Sequence, residues 1–207
     1  MKKTILLLSL VSAMGAQAQF QFNPQAGLTF QSLTAAPNGT NYKAALGWQL
    51  GADARIGDRL FLQPGVFLGR SVTAITTSAP IENGAAGIVQ VEDNLVRTNL
   101  KLRAQLGYRI IDSYQFDMRF MLGPSYDVVM SIDQRDGDLS WNEGDFNKGS
   151  FNIDAGVGFD MGLFTLSPTA SFGLSRVLRD DPTLSGINSK YISYGVTLGF
   201  NIGNDDL

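Results

Sequence analysis

From Leu95 to Ile110 apolar and polar residues alternate almost without a break. One face carries Val96, Thr98, Leu100, Leu102, Ala104, Leu106, Tyr108 and Ile110, and the other Arg97, Asn99, Lys101, Arg103, Gln105, Gly107 and Arg109. A period of two sustained this long predicts a β-strand with two chemically opposite faces, which no helical period fits. The segment is also long enough to cross a bilayer as a tilted strand, which takes about 9–11 residues.

The same reading predicts eight strands, at 22–33, 44–56, 60–70, 94–110, 116–130, 150–161, 164–177 and 191–202. Gly57-Asp58-Arg59, Asp112-Ser113-Tyr114 and Met161-Gly162-Leu163 are short connections built of turn residues. The longer ones, near 34–43, 71–93, 131–149 and 178–190, are rich in Gly, Asn, Asp, Ser and Pro. Long and short connections alternate, as they do in outer-membrane barrels with short periplasmic turns and longer outside loops. The expectation is an all-β chain forming an eight-stranded antiparallel up-and-down transmembrane β-barrel with both termini in the periplasm.

Two arguments put the polar face inside. Glycine recurs on it, at Gly47, Gly51, Gly107, Gly123, Gly156, Gly158 and beyond, and a narrow lumen must mix tiny with large side chains. The opposite row is continuously bulky, as in Phe116, Met118, Phe120 and Leu122 or Tyr194, Val196, Leu198 and Phe200. It suits lipid and would be an aggregation hazard in water. Inverting strand four would aim Arg97, Lys101, Arg103 and Arg109 at hydrocarbon, at roughly 2–4 kcal/mol for each basic residue near the midplane. Segment 60–70 is apolar on both faces, so its register stays open.

The inward charges have both signs. Asp53, Arg55, Asp127, Asp154 and Asp160 join the cations of strand four. A turn centred on Ser113 would set Arg109 opposite Asp117 and Gly107 opposite Arg119. The expected arrangement is a neutralised, hydrogen-bonded plug, and the alternative is a basic inner wall for small anionic solutes. Phe22, Phe30, Tyr108, Phe116, Tyr126, Phe164, Tyr191 and Tyr194 lie toward strand ends, where rings form interfacial girdles.

The N-terminus adds a location. Lys2 and Lys3 precede a leucine-rich run and Ala16-Gln17-Ala18, so residues 1–18 are expected to be a cleaved secretory leader and 19–207 the barrel domain. The apolar run is short of the ~20 residues of a spanning helix. Absence of cysteine excludes disulfides, thiolate metal sites and a cysteine nucleophile. With no histidine either, the usual general base of barrel hydrolases is missing, and no catalytic set forms. No cofactor motif is present, and no basic–aromatic stripe suggests nucleic acid. Partners are therefore expected among membrane lipid, lipopolysaccharide and an envelope protein. The acidic loop with Asp133, Asp136, Asp138, Glu143 and Asp145 lacks calcium-loop spacing and reads as solvated. Thr73 to Gly87 reads as a weakly structured excursion.

Several short motifs carry a family resemblance. They are the leader ending Ala-Gln-Ala-Gln, Leu62-Gln63-Pro64-Gly65, Leu122-Gly123-Pro124, Ser171-Phe172-Gly173-Leu174-Ser175 and the last strand from Ser193 to Phe200. In order and spacing the chain resembles the PorT-like outer-membrane β-barrel proteins of the Bacteroidota. The resemblance implies an eight-stranded barrel in the outer membrane of a Gram-negative bacterium, a link to protein secretion through the namesake, and no catalytic residues. One departure stands out: Phe200 is followed by Asn201 to Leu207, whereas such barrels often end on an aromatic residue.

Overall fold

The computed structural model describes residues 19–34, 40–80, 88–113, 115–135, 147–176 and 190–203. Eight long strands follow one another: β1 (Phe20–Leu33), β2 (Thr40–Gly57), β3 (Leu60–Pro80), β4 (Ile88–Ile111), β5 (Asp117–Arg135), β6 (Gly149–Met161), β7 (Phe164–Gly173) and β8 (Tyr191–Phe200). Each pairs antiparallel with the next, and β8 and β2 both pair with β1, so the sheet closes without an edge. Closure satisfies every strand's backbone groups internally, the condition for a sheet to cross hydrocarbon.

The C-terminal end resolves the departure noted above. After Asn201 the chain rejoins the ladder as β9 (Ile202–Gly203), pairing with Gln21 and Phe22 of β1. The last strand therefore runs past Phe200, and the interruption turns the Asn201 side chain into the interior, where it is buried.

Asp58-Arg59, Asp112-Ser113, Gln115-Phe116 and Gly162-Leu163 lie at one end, called here the turn end, together with Phe20 and Gly203. Gly57 (φ 129°) and Gly162 (φ 58°) make the first and last of these turns in backbone conformations that side chains rarely adopt. The other end is the loop end. There β3 and β4 form a hairpin taller than expected, because Thr73–Pro80 pairs with Ile88–Leu95 rather than forming a loose excursion. At 24 residues β4 is about 80 Å long, more than twice what a tilted strand needs to cross an apolar band of ~25 Å. The β-branched Thr73, Ile75, Val89 and Val91 explain why this stretch stays extended. By contrast β7 stops at Gly173 rather than at residue 177.

The outer surface is an apolar belt. Leu28, Trp48, Leu50, Leu106, Phe120 and Leu198 are all exposed, Leu198 at 63%. The register of β3 is now fixed. Leu62, Val66 and Leu68 face outward, whereas Phe61 and Phe67 point into the lumen at 1% exposure each. Room for them comes from the glycines paired with them on the adjacent strands: a Cβ at Gly107 would overlap the Phe61 ring, and one at Gly51 would strike Phe67. The leader (1–18) and the acidic segment from Asp136 to Asp145 fall outside the described residues. Asp133 lies in β5, two residues before its end at Arg135, as an exposed side chain.

Candidate functional site in the barrel lumen

Alternation carries the polar side chains of all eight strands into one narrow interior, where they sort into three levels. Nearest the turn end, Asp160 on β6 collects donors from three strands. Arg55 on β2 reaches its two oxygens at 2.9 and 3.3 Å, Arg119 on β5 donates to one of them, and the Asn201 amide donates to the other at 3.1 Å. Arg55 also donates to Gln21 and Asn201, and Arg119 to Thr165 and Ser167. Arg119 is completely buried, and Gly158 beside it gives the guanidinium its space, since a Cβ there would overlap it. Two cations thus share one carboxylate out of water, and the amides of Gln21 and Asn201 and the hydroxyls of Thr165 and Ser167 accept several of their other N–H groups.

The middle level pairs Arg103 with Asp53, which also accepts from Gln25 at 2.6 Å. The Arg103 guanidinium lies 4.1 Å over the Phe67 ring, so one aromatic side chain both fills the lumen and faces a cation. Gln25 in turn accepts from Thr197 at 2.7 Å.

The loop-end level is looser. Asp154 accepts from Ser125 (2.9 Å), Ser171 (2.5 Å) and Lys101 (3.4 Å). Asp127 has only distant cations, Arg97 at 3.6 Å and Lys101 at 3.8 Å. Arg97 stacks over Tyr191 at 3.9 Å. Although it is only 2% exposed, its three guanidinium nitrogens find no hydrogen-bond partner among the described residues.

Nine of the eleven charged side chains singled out from sequence lie in these three levels: Asp53, Arg55, Arg97, Lys101, Arg103, Arg119, Asp127, Asp154 and Asp160. Arg109 and Asp117 do not meet. The turn is centred beyond Ser113, with Ile111 opposite Met118, so that even after the bulge between Arg109 and Ile111 Arg109 lies opposite Arg119 and Gly107 opposite Met121. Two cations face across the strands, and they diverge: Arg119 turns to Asp160, while Arg109 turns to the rim, near Asp58 (3.6 Å) and Asp112 (3.8 Å). Asp117 instead caps the turn by accepting the Ser113 backbone N–H at 3.0 Å. Tyr191 also moves: it is a buried lumen residue against Arg97, not part of an outer girdle.

Residues chosen for their charge are only half of the network. Gln21, Asn23, Gln25, Thr165, Thr197 and Asn201 complete it. Their signal was available, because β1 carries a polar residue or glycine at every second position from Gln21 to Gln31. Chemically the arrangement is a set of paired charges that obstructs the barrel, with each carboxylate held by cations rather than set beside a nucleophile. No cluster of three or more metal-ligating side chains occurs among the described residues.

Residues 4–200 match a family model described as outer membrane protein beta-barrel domain. Comparison with curated proteins gives no match. Among solved structures, the outer membrane protein OprG from Pseudomonas aeruginosa is similar at 15% identity and a TM-score of 0.50, over 92% of this chain and 99% of that one. Ail, the attachment invasion locus protein of Yersinia pestis, aligns at 13% identity and TM-score 0.46, over 89% of this chain and 99% of its own. Neisserial surface protein A aligns at 10% identity and TM-score 0.40, over 88% and 97%. At these identities the OprG likeness establishes the fold.

Proposed function

The chain belongs to the outer membrane protein beta-barrel domain family, and from that premise we propose that it is a sealed barrel acting as an accessory component of the envelope through its loop end. The observation that carries this reading is the turn-end cluster. Asp160, Arg55, Arg119 and Asn201 bridge strands across the lumen, and Phe61 fills the space over Gly107 beside them. Opening a water path would pull these buried ion pairs apart, a change of several kcal/mol. The β3–β4 hairpin rising beyond the apolar belt offers a paired, extended surface for another envelope protein. The PorT-like motifs favour a partner of the secretion apparatus, and the short turns and both described chain ends at one pole favour a periplasmic placement of that pole. The paired carboxylates and the absence of histidine favour a non-catalytic role.

A second reading, a narrow ligand-binding or conducting barrel with a basic wall, draws on Arg97, whose guanidinium nitrogens find no hydrogen-bond partner among the described residues, and on Lys101 beside it, which bonds Asp154 and Ser171. Crosslinking in intact cells, followed by purification of the tagged barrel, separates the two. The accessory reading expects one recurrent protein in stoichiometric amount. A bare barrel after efficient crosslinking would overturn it and move the weight to the lumen.

A further inference from the structure

Above the Arg103–Phe67 layer the lumen is not filled. A cavity of about 30 Å³ lies among Arg97, Asn99, Lys101, Gln49, Ser71 and Asp127. A smaller one of about 20 Å³ continues past Lys101 toward Arg103 and Asp154. Thr29, Gln49, Lys101 and Ser193 line both, so the two form one chamber with Lys101 at its waist. Toward the turn end it is backed by Phe67, and beyond it lies the Asp160 cluster.

The chamber is richest in donors without acceptors. A buried guanidinium is expected to find partners for its N–H groups, yet none of the three Arg97 nitrogens has one among the described residues. Asp127 offsets the charge of Arg97 and Lys101 from 3.6 and 3.8 Å, too far to take up their hydrogens. Hydroxyls on Thr29, Ser71 and Ser193 rotate freely and can turn a hydrogen inward. Two acceptors are also unpartnered, Asp127 Oδ1 and Asn99 Oδ1. Exchanging the amide atoms of Asn99 would convert the latter into a further donor.

We propose that this chamber binds one compact monovalent anion of halide size, held between Arg97 and Lys101. Volume sets the class: the space takes one or two water-sized bodies, which admits chloride or bromide and excludes phosphate, sulfate and carboxylate solutes. Asp127 keeps the site weak, so that it fills at high millimolar halide. The inference rests on the sealed-barrel reading only in that the chamber is closed toward the turn end.

The test is thermal unfolding of the refolded barrel in detergent, at matched ionic strength, in potassium gluconate, chloride and bromide. Halide should raise the midpoint by several degrees in a saturable way, and gluconate, too large to enter, should not. Arg97→Gln should abolish the difference. If Arg97→Gln fails to fold, Gly69→Ala serves: Gly69 lines the chamber, and an added Cβ would stand 3.3 Å or more from its neighbours, occupying the space without disturbing the wall. A bromide-soaked crystal should show anomalous density within hydrogen-bond reach of the Arg97 guanidinium. Equal midpoints in the three salts, halide dependence surviving both substitutions, or only water in the chamber would overturn the proposal. Bilayer currents keep the two readings apart. Chloride conduction with intact halide stabilisation defeats the sealed barrel but not the site, and a silent barrel without halide stabilisation defeats the site alone.

Discussion

Asp160→Asn is the sharpest perturbation of the plug. The carboxylate accepts from Arg55, Arg119 and Asn201 and is the only acid in direct contact with those two arginines among the described residues. Asparagine keeps the volume and one acceptor, but it presents an NH₂ to a guanidinium and raises the cluster from one net positive charge to two. Removing one partner of a buried pair costs about 3–5 kcal/mol, a large share of a typical stability of about 5–15 kcal/mol. For a chain of 207 residues, at roughly 2–4 °C per kcal/mol, the midpoint should fall by about 6–20 °C. The assay is the heat-dependent shift of the folded band in gel electrophoresis, confirmed by urea unfolding in lipid vesicles. Asp117→Asn is the control, since that side chain only caps a turn at the exposed end and should cost about 1 kcal/mol or less. Adding Arg119→Gln to Asp160→Asn should recover part of the loss by restoring the charge balance. Equal melting of Asp160→Asn, Asp117→Asn and the unaltered barrel would refute the plug.

Gly107→Ala should destabilise the barrel by about 1–3 kcal/mol, because its Cβ overlaps the Phe61 ring; combining it with Phe61→Leu should return much of the loss in urea unfolding, and simple additivity would contradict the packing described. Leu198→Arg, on the outer belt, should cost roughly 2–4 kcal/mol if it faces the bilayer midplane and slow insertion into vesicles; unimpaired insertion would mean that this face does not meet lipid. Tyr191→Leu removes the ring under Arg97 and should lower stability by about 0.5–2 kcal/mol, whereas an unchanged midpoint would place Tyr191 outside the lumen.

How much of this was legible in the sequence depended on whether the two faces of a strand differ chemically. Val96 to Ile110 could be assigned because lipid and lumen demand opposite residues, and nine of the eleven charges named on that basis do lie in the lumen levels. Strand β3 resisted because Phe61 and Phe67 are apolar on the inner face. Their justification lies in Gly107 and Gly51 on neighbouring strands, which only the pairing register reveals. The Arg109–Asp117 pairing failed for a related reason, since the turn is centred beyond Ser113, with Ile111 opposite Met118, and a displaced turn shifts every partner in the ladder. Tyr191 sits near a strand end, where an aromatic suggests an interface, and its inward direction follows from parity with Thr197 and Gly195. The amides of β1 were visible as a period of two but carry no charge to draw notice.

The claim on which the rest depends is that the lumen is sealed. Single-channel recording of the refolded barrel in a planar bilayer tests it most directly. A sealed barrel predicts a flat current in the native protein and discrete openings only after Arg119→Ala and Phe61→Ala together remove the obstruction. Regular conductance steps from the native barrel would contradict it.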